Sequence, residues 1–295
     1  MVRFGIQPLQ FANVMNLISG KGLSDFEFFF PKICLAAVEG GFSTLELTLD
    51  MDYVLPGSLN EDVMEKFVEM KREKELTYTV HLPIWSVEPS SPNDFIRTAS
   101  VKSTVQSIEI AEVLEPECYV LHSTGALAAE FTRLNLPKQY KELVNRYMLL
   151  NAANSIEEIL SETDLPPRKL ALENVEFPFE LTKEIVDQFG LSVCFDTGHL
   201  LAGYSGEYTV LEFLKKNWDR IVEIHLHDGF RREKDGNVII RDHQPLGSGD
   251  LPIPEFIDYL DKNGFAGPLV FELGFDESKH SLDVIRERCP RIVIE

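Results

Sequence analysis

Short apolar runs that each end in a histidine or a carboxylate recur along this chain. Each run is rich in β-branched or aromatic residues and is followed by Pro, Gly, Ser or Asn, as is typical of buried strands in a parallel sheet. The six runs are YTVHLP with His81, CYVLHS with His122, LALENVE with Glu173, VCFDTGHL with Asp196 and His199, EIHLHD with His225 and His227, and GPLVFELG with Glu272. The pattern predicts strands whose carboxyl ends carry chemically active side chains.

Strand-like and helix-like segments alternate from one end of the chain to the other. The predicted strands cover 2–9, 43–49, 77–82, 118–123, 169–175, 191–196, 220–227 and 268–273. The predicted helices are Pro31–Glu39, Asn60–Glu75, Asp94–Leu114, Pro137–Glu162, Phe179–Phe189, Thr209–Asn217, Pro254–Asn263 and Ser278–Arg288. This order predicts an α/β fold, a single (β/α)₈ TIM barrel over 1–295. The alternative, an open doubly wound sheet, normally has a glycine-rich phosphate turn after its first strand, where this chain has GIQPLQ.

Composition narrows the choice of partner. The net charge of −20 opposes binding to phosphate backbones, so nucleic acid is not the expected partner. No apolar stretch is long enough to cross a bilayer, and MVRFGIQPLQ lacks the features of a signal peptide. The four cysteines form no CxxC pair. We therefore expect a cytoplasmic protein that acts on a small molecule without a membrane partner, and a homodimer is left open.

The polar strand ends predict a metal centre, because all strands of such a barrel end at one mouth. Glu173, Asp196, His225 and Glu272 follow the fifth to eighth strands. Three carboxylates and an imidazole suit Zn²⁺ or Mn²⁺ and leave a position for water or substrate.

Four further histidines extend this prediction. His81 and His122, from the third and fourth strands, are positioned for a second ion bridged by Glu173, and a third group draws on His199 and His243. We expect one or two ions and leave a third open. A single histidine at a strand end is more often a hydrogen-bonded core residue than a metal ligand. Several polar residues at the ends of apolar strands would each need a buried partner, and this favours the metal site.

Four motifs resemble one known family, the endonuclease IV/xylose isomerase-like barrel superfamily (AP endonuclease family 2). They are LEN at 172–174, FDTGH at 195–199, HLHD at 225–228 and HQPLGSGDL at 243–251. The resemblance implies a metal-dependent xylose isomerase-like TIM barrel. It implies a shared metal site of Glu173, Asp196, His225 and Glu272, with further endonuclease-type ligands at His81, His122, His199 and His243.

The chain departs from the endonuclease pattern at one ligand. That branch places an aspartate two residues before the loop histidine, and Arg241 stands at this position. Asp242 is one residue out of register and would point the other way in an extended segment. We therefore expect an incomplete third site, with Arg241 binding a substrate phosphate through its planar guanidinium.

Two reaction classes follow, and a DNA-repair endonuclease and a non-catalytic metal-binding protein are the less favoured alternatives. The preferred one is hydrolysis of a small phosphodiester, for which the resemblance includes a cobamide-remodelling phosphodiesterase branch. The alternative is isomerisation or epimerisation of a sugar or sugar phosphate, with Glu173 and Glu272 as bases on opposite faces of the substrate. The catalytic candidates are Glu173, Glu272 and His199, and the substrate-binding candidates are Arg241, Arg231, Trp85 and His227. For His227, hydrogen bonding to a metal ligand is the other role left open.

Overall fold

Eight parallel strands close into a barrel in the computed structural model, which describes residues 2–8, 29–54 and 57–293. The barrel strands are β1 (Arg3–Ile6), β2 (Thr44–Thr48), β3 (Thr77–His81), β4 (Tyr119–Leu121), β5 (Leu170–Glu173), β6 (Ser192–Asp196), β7 (Ile221–His225) and β10 (Pro268–Phe271). Each strand pairs with its neighbours in chain order, and β10 closes the ring against β1. The predicted (β/α)₈ TIM barrel is confirmed and the open doubly wound sheet is excluded. The predicted end of the first strand, Leu9, lies outside the described residues.

Helices alternate with the barrel strands along the chain. Their bounds are Phe29–Glu39, Met51–Val54, Glu61–Lys74, Asp94–Ala111, Ala126–Arg133, Lys138–Glu162, Phe179–Phe189, Thr197–Leu201, Val210–Asn217, Ile253–Lys262 and Phe275–Arg288. None of these helices is both long enough and apolar enough to span a membrane. The eight predicted helices are all present within a few residues of their predicted ends.

Local capping signals explain several of these ends. The Asn60 side chain accepts a hydrogen bond from the backbone N–H of Val63, and Thr209 forms a reciprocal capping box with Glu212. The helix Ala126–Arg133 was not predicted, because its cap comes from a distant residue. The Glu88 carboxylate accepts the N–H groups of Gly125 and Leu127 at 2.8 and 2.9 Å.

A polar layer lies inside the barrel, below the mouth. Glu223 is fully buried and accepts hydrogen bonds from Thr79 Oγ1 at 2.8 Å and Cys118 Sγ at 2.9 Å. Burial, and then the nearby Glu46 carboxylate, raise the pKa of Glu223 to about 8. Near neutral pH this carboxyl is therefore mostly uncharged.

A hairpin stands over the barrel mouth between β7 and β10. It consists of β8 (Asp228–Lys234) and β9 (Asn237–Gln244), joined at Asp235 and Gly236, whose φ angles of 53° and 75° match a type I′ turn. Asp and Gly are residues that favour the positive φ angles of such a turn. The loop after β9 is fastened by the buried Asp228 carboxylate, which accepts the N–H groups of Gly247 and Leu251 at 2.9 Å each.

Candidate metal centre

The ends of four adjacent strands bring the predicted four-residue set together. Glu173 ends β5, Asp196 ends β6, His225 ends β7 and Glu272 follows β10. Each offers one ligand atom, and these atoms all lie within 4.8 Å of one another. Glu173, Asp196 and His225 are buried, and the side chain of Glu272 is 11% exposed. We call this set the central group.

Glu173 also belongs to a second set, the β3–β4 group. One of its oxygens, Oε2, lies 2.8 Å from His122 Nε2 and 3.4 Å from His81 Nε2. The other, Oε1, lies 3.5 Å from His225 Nδ1 in the central group. Glu173 is therefore shared by the central and β3–β4 groups, and its role as a bridge between two ions stays a prediction.

A third set, the hairpin group, consists of His199, Asp242 and His243, and here the expectation about Asp242 was wrong. Its carboxylate lies 3.4 Å from His243 Nδ1 and 3.9 Å from His199 Nε2. The alternation rule fails because the backbone at His243 is left-handed, with φ of 46°, so the segment is not extended. Arg241 is exposed and donates to the carbonyl of Ile240, away from these ligands.

His227 is fully buried and does not line the cavity, and both of its ring nitrogens face protein atoms. Its Nε2 accepts the backbone N–H of Glu272 at 2.9 Å, so Nδ1 carries the proton and donates to Asp196 Oδ2 at 3.0 Å. The other Asp196 oxygen accepts the N–H of His199 at 2.7 Å. His227 therefore orients Asp196.

The hydrogen bonds of two histidines fit cation binding. His225 Nε2 faces Glu46 at 3.1 Å, so this nitrogen carries the proton and leaves the lone pair of Nδ1 among the carboxylates. Nδ1 is buried without a hydrogen-bond partner among the described residues. His81 likewise places Nδ1 2.9 Å from the carbonyl of Leu82 and turns Nε2 toward Glu173. When a divalent ion displaces the proton from the nitrogen that faces the carboxylates, each ring is left in the tautomer that an imidazole ligand requires.

The electrostatics also indicate a site built for positive charge. Burial disfavours a charged His81, but its hydrogen bond to Glu173 and the nearby carboxylates raise its pKa to about 10. Burial would likewise raise the pKa values of Glu173 and Glu272, yet the surrounding histidines hold them well below their usual range. The carboxylates thus stay ionised and attract cations, and divalent ions can take the place of the protons.

Supporting residues that the sequence did not assign hold these ligands in place. Gln7 donates through Nε2 to Glu46 at 2.9 Å and to Glu272 at 2.7 Å. Asn174 donates to the carbonyl of Asp196 and accepts its N–H, which fixes the end of β6. Asn174 stands in the LEN motif, so its position next to a ligand was the available signal.

A cavity of about 400 Å³ opens beside the ligands. His122, His199 and Asp242 form its metal-side wall, and Trp85, 42% exposed, lines it from the loop after β3. Arg231 is exposed and packs over Gly203 outside this lining, and Arg241 does not line the cavity either. Of the predicted substrate contacts, Trp85 is therefore the one at the cavity.

Comparisons with known proteins agree with the barrel fold. A family model described as a xylose isomerase-like TIM barrel matches residues 34–288. The uncharacterized protein MJ1311 of Methanocaldococcus jannaschii is 26% identical over 220 residues, covering 70% of this chain and 67% of that protein. A D-tagatose 3-epimerase-like protein superposes with a TM-score of 0.72 at 21% identity, covering 98% of this chain and 97% of the other. Endonuclease IV from Thermus thermophilus superposes with a TM-score of 0.65 at 18% identity, covering 99% of each chain.

Proposed function

The chain belongs to the xylose isomerase-like TIM barrel family, and from this premise we propose that it is a metal-dependent hydrolase of a small phosphodiester. The observation that supports hydrolysis is the presence of two ligand groups beyond the central one. The β3–β4 group adds His81 and His122, and the hairpin group adds His199, Asp242 and His243. An isomerase that uses one ion has no need of these residues, whereas phosphoester hydrolysis gains from ions on both the attacking and the leaving oxygen.

Zn²⁺ or Mn²⁺ bound by these groups would supply an acidified water and positive charge beside the phosphoryl oxygens. Glu173 is shared by the central and β3–β4 groups and holds their ligands in a fixed relation. His199 places Nδ1 3.1 Å from the carbonyl of Asn174, so Nδ1 carries the proton and Nε2 is left as an acceptor. In this proposal, His199 Nε2 ligates an ion or accepts a proton at the cavity wall.

The proposed substrate is small because of charge and space. The net charge of −20 disfavours a long phosphate backbone, whereas local histidines and bound ions would attract a single phosphodiester. A cavity of about 400 Å³ has room for a small molecule. A cobamide nucleotide loop is one diester of this kind, and it is part of the proposal.

The second candidate is a sugar isomerase or epimerase, and the central group favours it. Glu173 and Glu272 lie 3.5 and 3.2 Å from the same atom, His225 Nδ1, so they flank one ion position. Two carboxylates around a bound ketose could remove and return a proton on opposite faces. The solved structures that resemble the chain include the D-tagatose 3-epimerase-like protein, which agrees with this alternative.

Metal stoichiometry together with turnover tests the choice. Elemental analysis should find two or more ions per chain, and the metal-loaded protein should hydrolyse bis(p-nitrophenyl) phosphate. His122→Ala should lose one ion and most of this activity, since His122 belongs to the β3–β4 group and not to the central group. One ion per chain, no diester hydrolysis and interconversion of a ketose would replace the hydrolase with the isomerase.

A further inference from the structure

Part of the lining of the cavity is apolar, and we call this part the apolar wall. Ile84, Trp85 and Val87 contribute from the loop after β3, and Ala129 and Val175 contribute from other segments. The metal-side wall carries His122 of the β3–β4 group and His199 and Asp242 of the hairpin group. A ligand whose anionic end lies on the ions would therefore extend its other end along carbon atoms.

The tryptophan of this wall is held in place by its backbone. The buried Asp50 carboxylate accepts the N–H of Trp85 at 2.9 Å and the N–H of Ile84 at 3.0 Å. These bonds fix the turn that carries the indole to the cavity. A flat side chain held in this way offers a stacking surface at low entropic cost, because little backbone freedom is lost on binding.

The polar groups of the lining indicate a neutral group at this end. Arg133 lines the cavity, but its guanidinium forms a two-pronged ion pair with the carboxylate of Glu176. The charge of Arg133 is therefore already compensated, so Arg133 gives no reason to expect an anionic group at this end of the ligand. Thr124 is 2% exposed, and its hydroxyl has no hydrogen-bond partner among the described residues. Rotating it toward a ligand would break no existing hydrogen bond.

We propose that this wall is a subsite for a flat aromatic group, one that is neutral and carries a hydrogen-bonding atom for Thr124. This subsite rests on the proposed function, and together they make the substrate a phosphodiester with an aryl or heteroaryl substituent. The phosphodiester lies at the ligand groups, and the ring lies on Trp85. Stacking on one aromatic side chain increases the affinity for a base about tenfold or more, so a measurable preference should follow.

Phosphonate binding to the metal-loaded protein tests the subsite without requiring turnover. Isothermal titration should give phenylphosphonate a dissociation constant about tenfold lower than that of methylphosphonate. Trp85→Ala should reduce this preference to about twofold or less, because the stacking surface is removed. Phe95→Ala is the matched control, since Phe95 is 87% exposed and does not line the cavity, and it should keep the preference.

Thr124 is tested with the hydroxyphenylphosphonates. At least one ring isomer should bind the wild type more tightly than phenylphosphonate, and Thr124→Val should abolish that gain while keeping the preference for the ring. An equal gain in Thr124→Val would remove Thr124 from the proposal.

The outcomes separate the subsite from the reaction. Equal affinities for the two phosphonates, no binding of either, or an unchanged preference in Trp85→Ala would each overturn the subsite, even if the wild type hydrolyses bis(p-nitrophenyl) phosphate. Conversely, a preference that depends on Trp85 in a protein that hydrolyses no diester would support the subsite and reject the proposed reaction.

Discussion

Replacing Glu173 with glutamine removes a single negative charge from two ligand groups at once. Its Oε2 lies 2.8 Å from His122 Nε2 and its Oε1 lies 3.5 Å from His225 Nδ1, so both oxygens face predicted ligands. Glutamine has nearly the same shape, but it carries no charge and replaces one acceptor with a donor. Metal binding should therefore weaken in the central and β3–β4 groups together.

The expected loss of metal affinity follows from the role of Glu173 as a ligand. Changing a residue that only supports a metal ligand costs about 10–100-fold in affinity or activity, so losing a bridging ligand should cost at least about 100-fold. A factor of 100 corresponds to about 2.8 kcal/mol. The variant should keep less than half of the wild-type metal after dialysis and lose nearly all turnover of the substrate that the wild type uses.

Glu69→Gln is the matched control for this experiment. Glu69 is an exposed glutamate of the helix Glu61–Lys74 and belongs to none of the ligand groups. The change to glutamine therefore removes the same charge away from the site. The assay is elemental analysis after dialysis, turnover, and circular dichroism to confirm the fold. If Glu173→Gln matches Glu69→Gln in metal content and turnover, Glu173 does not bridge the two groups.

Three further predictions concern the hairpin residues and pH. Asp242→Asn should lower the metal content of the protein, because the Asp242 carboxylate lies 3.4 Å from His243 Nδ1. An unchanged metal stoichiometry and metal affinity would remove Asp242 from the ligands. Arg241→Ala should leave metal content and vanadate affinity unchanged, because Arg241 is exposed and outside the cavity; weaker vanadate binding would restore its role as a phosphate contact. The pKa of His81 is raised to about 10 in the folded, metal-free protein, so its protonated form stabilises the fold. This stabilisation is complete below the unfolded pKa of about 6.5 and is lost as the pH rises through about 10. The increase in Tm on adding metal should therefore be larger at pH 8 than at pH 6, and equal increases would contradict this.

Much of the architecture follows from the sequence alone. A parallel barrel strand is buried on both faces, so it appears as a short apolar run, and β5 with LALE shows this pattern clearly. Because all such strands end at one mouth, a polar residue at each strand end predicts a shared site without knowledge of any distance. Glu173, Asp196, His225 and Glu272 could be grouped for this reason.

The tertiary structure decided what depends on contacts between distant segments. The helix Ala126–Arg133 is capped by Glu88, which no local pattern reveals. Asp242 faces His199 because the backbone at His243 turns left-handed where the hairpin closes onto the mouth, and alternation assumes an extended chain. His227 has the spacing of a substrate contact, but its two ring nitrogens are engaged by Asp196 and by a backbone amide after β10. Sequence periodicity predicts which residues lie near the mouth, whereas the direction of each side chain depends on partners that only the closed barrel brings within reach.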